Sequence, residues 1–200
     1  STHNGAGIRV ANAPVILREN LIEGNVAGAD GGGVDVRLDY YGRALIERNR
    51  IFDNKAGDHG GGIQVYCNPS NAQRTVSCTW NIIDSNSAAG SEFGDTGSGG
   101  GIEAAEMQGL IENNTITRNT GAGESECSGG GLLLFETRPT LRLANNIIAF
   151  NQGCGISCRV FAVSLFDHNL MWGNGVADVD TGPGVCDLQL QSPFIFQDPQ

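Results

Sequence analysis

Two carboxylates and an arginine are the residues of this sequence best suited to acid–base chemistry. Asp35 and Glu103 could act as proton donor and proton acceptor, because hydrolysis of a glycosidic bond uses such a pair. Arg37 could neutralise the carboxylate of a uronate. The other side chains that could stack on a sugar or bind it are Tyr40, Tyr41, Gln64, Tyr66, Phe135 and Arg159. These residues form one surface only if the fold brings them together.

Acidic residues also precede most of the glycine runs. The candidate ligands for a cation are Asp30, Asp58, Asp95 and Glu126. Calcium takes about six to eight oxygen ligands, so Ca²⁺ could bridge these carboxylates if their turns stack. The alternative is that the carboxylates are solvated, since their distances from the glycines differ. His59 lies beside one of them and is interpreted as a loop residue rather than as an acid or base.

The elements that must position these residues follow from an internal repeat. Glycine-rich triplets occur at Gly5–Gly7, Gly31–Gly33, Gly60–Gly62, Gly99–Gly101, Gly129–Gly131 and Gly153–Gly155, with Ala6 and Cys154 in the middle of the first and the last. Their intervals are irregular. A solenoid tolerates such irregularity because insertions fall in its loops while the strands stay in register.

A second repeat consists of asparagines five residues apart. The pairs are Asn20/Asn25, Asn49/Asn54, Asn81/Asn86, Asn114/Asn119, Asn146/Asn151 and Asn169/Asn174. An apolar residue lies between the members of each pair, and another residue with an apolar side chain lies three positions before the first. We expect each amide to bond the equivalent amide one coil away, and asparagine to adopt the left-handed backbone of a tight corner.

A short alternating strand follows each glycine triplet. Its inward residues are mostly aliphatic, and its outward residues are Arg9, Asp35, Gln64, Glu103, Leu133 and Ser157. Neighbouring coils lie about 4.8 Å apart, so Asp35 and Glu103, one coil either side of Gln64, should be about 10 Å apart. This separation is near the upper limit for an inverting carboxylate pair.

Together the repeats predict an all-β fold, a single-stranded parallel β-helix (solenoid) of about six coils. We expect a single domain over residues 1–200. The coils are predicted at roughly 5–25, 26–54, 55–86, 87–119, 120–151 and 152–174, with a C-terminal closing segment at 175–200.

The segments NNIIAFNQGCGI (Asn145–Ile156) and GDHGGGIQV (Gly57–Val65) resemble repeats of the pectin-lyase-like superfamily. The tail from Phe166 onward resembles the closing coil of bacterial secreted repeat proteins. This resemblance implies a right-handed solenoid and raises cleavage of acidic polysaccharide, by a lyase or a hydrolase, on the outer face of the strands. The calcium-binding aspartates of the family's lyases and the paired aspartates of its polygalacturonases have no matching motif in this sequence.

The repeat accounts for most of the distinctive residues and leaves no compact catalytic set. We therefore expect a non-catalytic extracellular module that is structural, adhesive or filament-forming, with glycan binding as a further role. A polysaccharide lyase or glycoside hydrolase is the alternative. No cofactor is expected other than the calcium considered above.

Six cysteines without a paired C-x-x-C motif favour disulfides over zinc, and hence a secreted or cell-surface protein. Cys67 and Cys78 flank a polar loop and are predicted to pair, although Cys78 occupies a core position and a buried free thiol is the alternative. The other predicted pairs are Cys127–Cys154 and Cys158–Cys186. Other connectivities of these four remain open.

The formal charge of −10 argues against nucleic acid as a partner, and no run of 18 apolar residues indicates membrane insertion. The ends of a β-helix expose unpaired strand edges. Because the sequence begins in a glycine corner, three interpretations follow: a piece of a longer chain, a first coil covered by the chain's own tail, or subunits stacked end to end. The expected partners are another copy, the remainder of a longer chain, or polysaccharide.

Overall fold

The computed structural model describes residues 4–68, 74–90, 99–121, 129–138, 140–159, 164–180 and 188–190. Within these ranges the chain forms 24 β-strands and no helix. In chain order they are β1 Ile8–Ala11, β2 Val15–Arg18, β3 Leu21–Glu23, β4 Val26–Ala27, β5 Val34–Leu38, β6 Arg43–Glu47, β7 Arg50–Phe52, β8 Lys55–Ala56, β9 Ile63–Cys67, β10 Thr75–Thr79, β11 Ile82–Asp84, β12 Ser87–Ala88, β13 Ile102–Ala105, β14 Gly109–Glu112, β15 Thr115–Thr117, β16 Thr120–Gly121, β17 Leu132–Phe135, β18 Leu141–Ala144, β19 Ile147–Ala149, β20 Cys154–Arg159, β21 Ser164–Asp167, β22 Leu170–Trp172, β23 Ala177–Asp180 and β24 Leu188–Leu190.

The strands form four parallel sheets, in which each strand pairs with its equivalents one turn earlier and one turn later. Sheet A has the order β1-β5-β9-β13-β17-β20-β23, and sheet B the order β2-β6-β10-β14-β18-β21-β24. Sheet C consists of β3-β7-β11-β15-β19-β22, and sheet D of β4-β8-β12-β16. This arrangement is a parallel β-solenoid, which confirms the predicted fold class.

The number of coils differs slightly from the expected six. Sheets A and B contain seven strands each among the described residues, but sheet D contains only four. A full turn with a strand in every sheet is therefore present only four times in the described chain. The later turns lack the short fourth strand because the chain passes more directly from sheet C back to sheet A.

The core lies inside the coil and consists of stacked aliphatic side chains. In sheet A the inward residue pairs directly with its equivalent on the next strand, as Val34 does with Ile63 and Ile102 with Leu132. These side chains are at most 1% exposed. Burying each of them contributes roughly 1.5–3 kcal/mol, so the sheets are held together by ladders that no single coil could form alone.

The two asparagine repeats form continuous hydrogen-bonded ladders, as predicted. In a central rung, the backbone N–H and the Nδ2 of Asn49 both donate to Oδ1 of Asn81, at 2.9 and 3.0 Å. Nδ2 of Asn49 also donates to the carbonyl oxygen of Leu17 in the preceding rung. Each buried amide is thus satisfied from both sides, which is the condition for placing polar groups in a core.

The predicted backbone conformation of the ladder asparagines is wrong. The residue with positive φ at these corners is the one before the asparagine, such as Arg48 (φ 54°), Trp80 (φ 59°) and Ser85 (φ 56°). The asparagine itself must keep its carboxamide directed along the solenoid axis to reach the next rung. Its predecessor therefore makes the turn, with its side chain at the surface.

Candidate functional site

The two candidate catalytic carboxylates lie in one outward column of sheet A. Asp35 pairs in register with Gln64, and Gln64 pairs with Glu103, as the repeat predicts. We call Asp35, Gln64 and Glu103 the acidic column. Although their strand positions are outward, they are only 1%, 8% and 7% exposed.

The glycine turns explain this burial. Each turn begins with a glycine of positive φ four residues before the outward position, such as Gly31 (φ 67°) before Asp35 and Gly60 (φ 63°) before Gln64. A β-carbon at Gly31 would lie 2.5 Å from Cβ of Asp35, and one at Gly60 would lie 2.7 Å from Cβ of Gln64. The turn lies directly against the column because glycine has no side chain to hold it away.

Burial sets the electrostatics of the acidic column. Loss of solvation raises the pKa of Asp35 to about 6, although Arg9 opposes this rise with its Nε 3.4 Å from Oδ2. Burial likewise raises the pKa of Glu103 to about 7, against the attraction of His59. Both carboxylate oxygens of Asp35 and Oε2 of Glu103 are buried and accept no hydrogen bond within the described part of the chain. The column therefore holds carboxyl groups that ionise reluctantly near neutral pH.

A half-buried cluster lies beside this column, where the glycine turns of the second and third coils stack. We call Asp30, Asp58 and His59 the corner cluster. Nδ1 of His59 lies 3.3 Å from an oxygen of each aspartate, and Nδ2 of Asn4 donates to Oδ2 of Asp30 at 2.9 Å. Burial alone would lower the pKa of His59, but the hydrogen bond to Asp30 and the nearby carboxylates raise it to about 9.

The structure brings together two of the four candidate cation ligands, Asp30 and Asp58. The other two, Asp95 and Glu126, lie outside the described residues. Sequence reasoning missed His59, which it placed in a loop without a role. The available signal was its position directly before a glycine triplet, one turn above Asp30, because stacked turns bring equivalent positions within contact.

A second outward column of sheet A is partly exposed. It consists of Arg37, Tyr66, Ala105, Phe135 and Arg159, which pair in register on β5, β9, β13, β17 and β20. We call it the aromatic column. Ala105, which is only 6% exposed, lies between Tyr66 and Phe135 in this row. The four larger members were all predicted ligand-binding or candidate catalytic residues, and the fold places them in one row.

The charges of the aromatic column are largely paired. The Arg37 guanidinium lies 4.8 Å above the Tyr66 ring, and its Nε is 3.0 Å from Oδ2 of Asp39. Arg159 lies 4.0 Å from Asp180. Burial and the carboxylate of Glu106 raise the pKa of the Tyr66 hydroxyl, which keeps it protonated. The column offers aromatic faces and hydrogen-bonding groups rather than a free acid or base.

The two remaining candidates, Tyr40 and Tyr41, lie in the turn between β5 and β6. Their side chains are 72% and 62% exposed. The carboxamide oxygen of Asn12 accepts hydrogen bonds from the backbone N–H groups of Asp39 and Tyr40, which fixes the start of this turn. Both rings are thus available at the Arg37 end of the aromatic column.

The predicted Cys67–Cys78 disulfide is wrong, because both cysteines are free thiols. Cys67 ends β9 in sheet A and pairs in register with Leu38, whereas Cys78 lies in sheet B between Ile46 and Ile111. Burial raises the pKa of each thiol to about 12. Cys154 and Cys158 are buried on β20, but their predicted partners, Cys127 and Cys186, lie outside the described residues, so those pairings stay predictions.

Comparisons with known proteins identify no relative on which to base a function. No family model, no curated protein and no solved structure matches the chain. In the described ranges there is also no helix of the length and hydrophobicity needed to cross a membrane. Function must therefore be inferred from the two columns and the corner cluster themselves.

Proposed function

We propose that this chain is a non-catalytic extracellular β-solenoid module of the pectin-lyase-like type, which binds a glycan along the aromatic column. The observation that carries the proposal is the separation of the two columns. The carboxylates suited to cleaving a glycan are covered by the glycine turns, whereas the aromatic and hydrogen-bonding residues suited to holding one are at the surface.

Burial argues against the alternative of a lyase or hydrolase that uses Asp35 and Glu103. A catalytic acid must come within hydrogen-bond reach of the glycosidic oxygen, and a catalytic base within reach of a water or of the sugar. Asp35 is 1% exposed and Glu103 is 7% exposed, so neither offers a surface to a polysaccharide. Arg37, the third candidate, pairs with Asp39 and stacks on Tyr66, an arrangement suited to positioning.

The exposed column has the features of a sugar-binding strip. Tyr66 and Phe135 lie two strands apart in this column, about 10 Å at the usual strand spacing. Aromatic rings bury the apolar face of a ligand at little cost in side-chain entropy, while paired arginines and aspartates hydrogen-bond to hydroxyl groups. Because carboxylates already neutralise the guanidinium groups of the aromatic column, a neutral glycan fits this column better than an acidic one.

Binding to a panel of neutral and uronate-containing polysaccharides tests the proposal, by affinity electrophoresis and calorimetry. We expect Tyr66→Ala and Phe135→Ala each to weaken binding about five- to tenfold, since one aromatic contact contributes roughly 1 kcal/mol. Trp80→Asn is the matched control, because Trp80 is 60% exposed at a different corner. Unchanged binding in both column variants would refute the site.

The same samples are assayed for new reducing ends and for unsaturated uronates. Release of such products by the wild-type chain, abolished in Glu103→Gln or Arg37→Ala, would overturn the non-catalytic proposal. We expect no product above the level given by the heat-denatured protein.

End-to-end assembly is a second candidate function, favoured by one observation. Strands β1, β2, β3 and β4 are the edges of the four sheets. The carboxamide oxygens of Asn20 and Asn25 accept no hydrogen bond from the residues that the structure describes, although each asparagine donates to the next rung. Sedimentation of the chain across a wide concentration range tests this: an Asn20→Ala,Asn25→Ala variant, which lacks both carboxamide oxygens, should associate less. A monomer at every concentration would exclude this function.

A further inference from the structure

We infer that the corner cluster of Asp30, Asp58 and His59 binds a divalent transition-metal ion, with Glu103 as an additional carboxylate beside it. This inference is independent of glycan binding. It differs from the calcium bridge considered for the acidic corners, because it uses a nitrogen ligand and a single pair of turns.

The geometry of the cluster fits a metal shell. One ligand atom from each residue lies within 4.8 Å of the other two, and Nδ1 of His59 lies 3.3 Å from an oxygen of each aspartate. Two ligands bound tetrahedrally at about 2.1 Å lie roughly 3.4 Å apart, so these contacts need little adjustment. The side chains are 22–24% exposed, which leaves access for an ion and for water to complete the shell.

The backbone holds Asp30 and His59 in place. The amide N–H of Gly31 donates to the carbonyl oxygen of His59 at 2.9 Å, and the backbone N–H of His59 donates to Oδ1 of Asp30 at 3.3 Å. Asp30 and His59 therefore belong to turns that stack in fixed register. A site built this way does not require a loop to close over the metal.

A second, independent observation points to a cation. Oε2 of Glu103 is buried and accepts no hydrogen bond from the described residues, and Glu103 as a whole is 7% exposed. The charge of the Glu103 carboxylate interacts with His59, Asp30 and Asp58, so this carboxylate lies near the corner cluster. A buried carboxylate oxygen without a donor requires either a proton or a cation.

The balance of charges favours a divalent ion. Four carboxylates meet in this region, those of Asp30, Asp35, Asp58 and Glu103, and the described cations that interact with them are His59, Arg9 and Arg37. Metal binding requires the neutral form of His59, so it replaces one positive charge by two and releases a proton.

The donor set selects the class of metal. Calcium takes only oxygen ligands, about six to eight of them, whereas imidazole together with carboxylates suits Zn²⁺ and Mn²⁺. We therefore expect Zn²⁺ or Mn²⁺ to bind and Ca²⁺ to bind at least tenfold more weakly.

Calorimetry on the full chain, stripped with chelator and titrated with zinc, manganese or calcium chloride alone, tests the inference. One equivalent of Zn²⁺ or Mn²⁺ should bind at pH 8 and raise the melting temperature. His59→Gln and Asp58→Asn should each weaken binding at least tenfold, and Glu103→Gln several-fold. Far-UV circular dichroism of each variant verifies that it is folded, and two independent ligand variants guard against the loss of one through misfolding.

Two matched controls come from other corners of the solenoid. His168→Gln removes an exposed histidine that also contacts an aspartate, and Asp53→Asn removes an exposed corner carboxylate. Both should bind metal like the wild type. Absence of saturable binding, equal loss in the controls, or binding that survives in folded His59→Gln and Asp58→Asn would each overturn the inference.

Discussion

Replacing Glu103 by glutamine isolates the electrostatic cost of the acidic column while keeping the size and shape of the side chain. Burial raises the pKa of Glu103 from 4.5 to about 7 in the folded protein. A pKa difference of about 2.5 corresponds to roughly 3 kcal/mol at 1.36 kcal/mol per pH unit. Glutamine can keep the contact with Gln64 but never ionises, so it does not carry this cost at any pH.

The direction of the pH effect follows from proton binding. Between pH 4.5 and 7 the folded state holds a proton on Glu103 that the unfolded chain has lost, so the free energy of unfolding falls as the pH rises through this window. The contribution is fully present below pH 4.5 and lost above pH 7. We expect Glu103→Gln to match the wild type near pH 4.5 and to exceed it by roughly 3 kcal/mol at pH 8.

Urea unfolding at pH 4.5, 6 and 8, in buffer containing chelator so that no metal contributes, measures this difference. Glu19→Gln is the control, because the Glu19 side chain is 67% exposed on a corner. The free energy of unfolding of Glu19→Gln, plotted against pH, should run parallel to that of the wild type. If the free energy of unfolding of Glu103→Gln also runs parallel to that of the wild type across this pH range, Glu103 is not a buried carboxyl group with a raised pKa.

Three further substitutions or reactions test the scaffold that positions these groups. Gly60→Ala should lower the free energy of unfolding by about 1 kcal/mol more than Gly24→Ala. Both glycines have positive φ, but only Gly60 has atoms within 3 Å of the new methyl group. Equal losses of stability in urea unfolding would contradict the close approach of the turn. Asn86→Ala should lower the free energy of unfolding by about 2–4 kcal/mol, since it breaks a buried ladder and leaves neighbouring amides without partners. A decrease below about 1 kcal/mol would show that the ladder contributes little to stability. Cys67 and Cys78 should resist iodoacetamide at pH 8 in the native protein and react in urea, because burial holds the pKa of each thiol near 12. Rapid alkylation of the native protein, measured by mass spectrometry, would contradict the burial of these thiols.

The sequence predicts the scaffold well because spacing alone determines it. Repeated glycine triplets and asparagine pairs define which residues occupy equivalent positions, and stacking then gives the register of Asp35, Gln64 and Glu103. The same register makes Arg37 and Tyr66 neighbours in the structure. Period-two alternation also separates the inward from the outward side of each strand.

The alternation of inward and outward residues along a strand does not show which other part of the chain covers the outward side of that strand. Asp35 and Glu103 face away from the core, yet the preceding turn covers them. The constant four-residue offset from a glycine to the outward position is the signal that could have indicated this. His59 was missed for a related reason: its partner Asp30 is 29 residues earlier, and only stacking brings the two together.

The wrong prediction of a Cys67–Cys78 disulfide has a different origin. Two cysteines that flank a loop are close in sequence, but a loop in this fold connects two different sheets. The thiols therefore belong to separate ladders, one stacked on Leu38 and the other between Ile46 and Ile111. Sequence separation is a poor guide to proximity wherever the chain turns a corner between the two positions.

The asparagine ladders give the solenoid a direction. From the second rung onward the carboxamide oxygen accepts from the asparagine of the rung before it, as Asn81 does from Asn49, and the backbone N–H and Nδ2 donate to the asparagine of the rung after it. The side-chain amide dipoles are therefore aligned in series, with acceptors facing one end of the solenoid and donors the other. A further rung can extend a ladder only in the same orientation, so two solenoids joined at their ends must run head to tail. Such an assembly would be polar, with two chemically different ends and no two-fold axis across the joint.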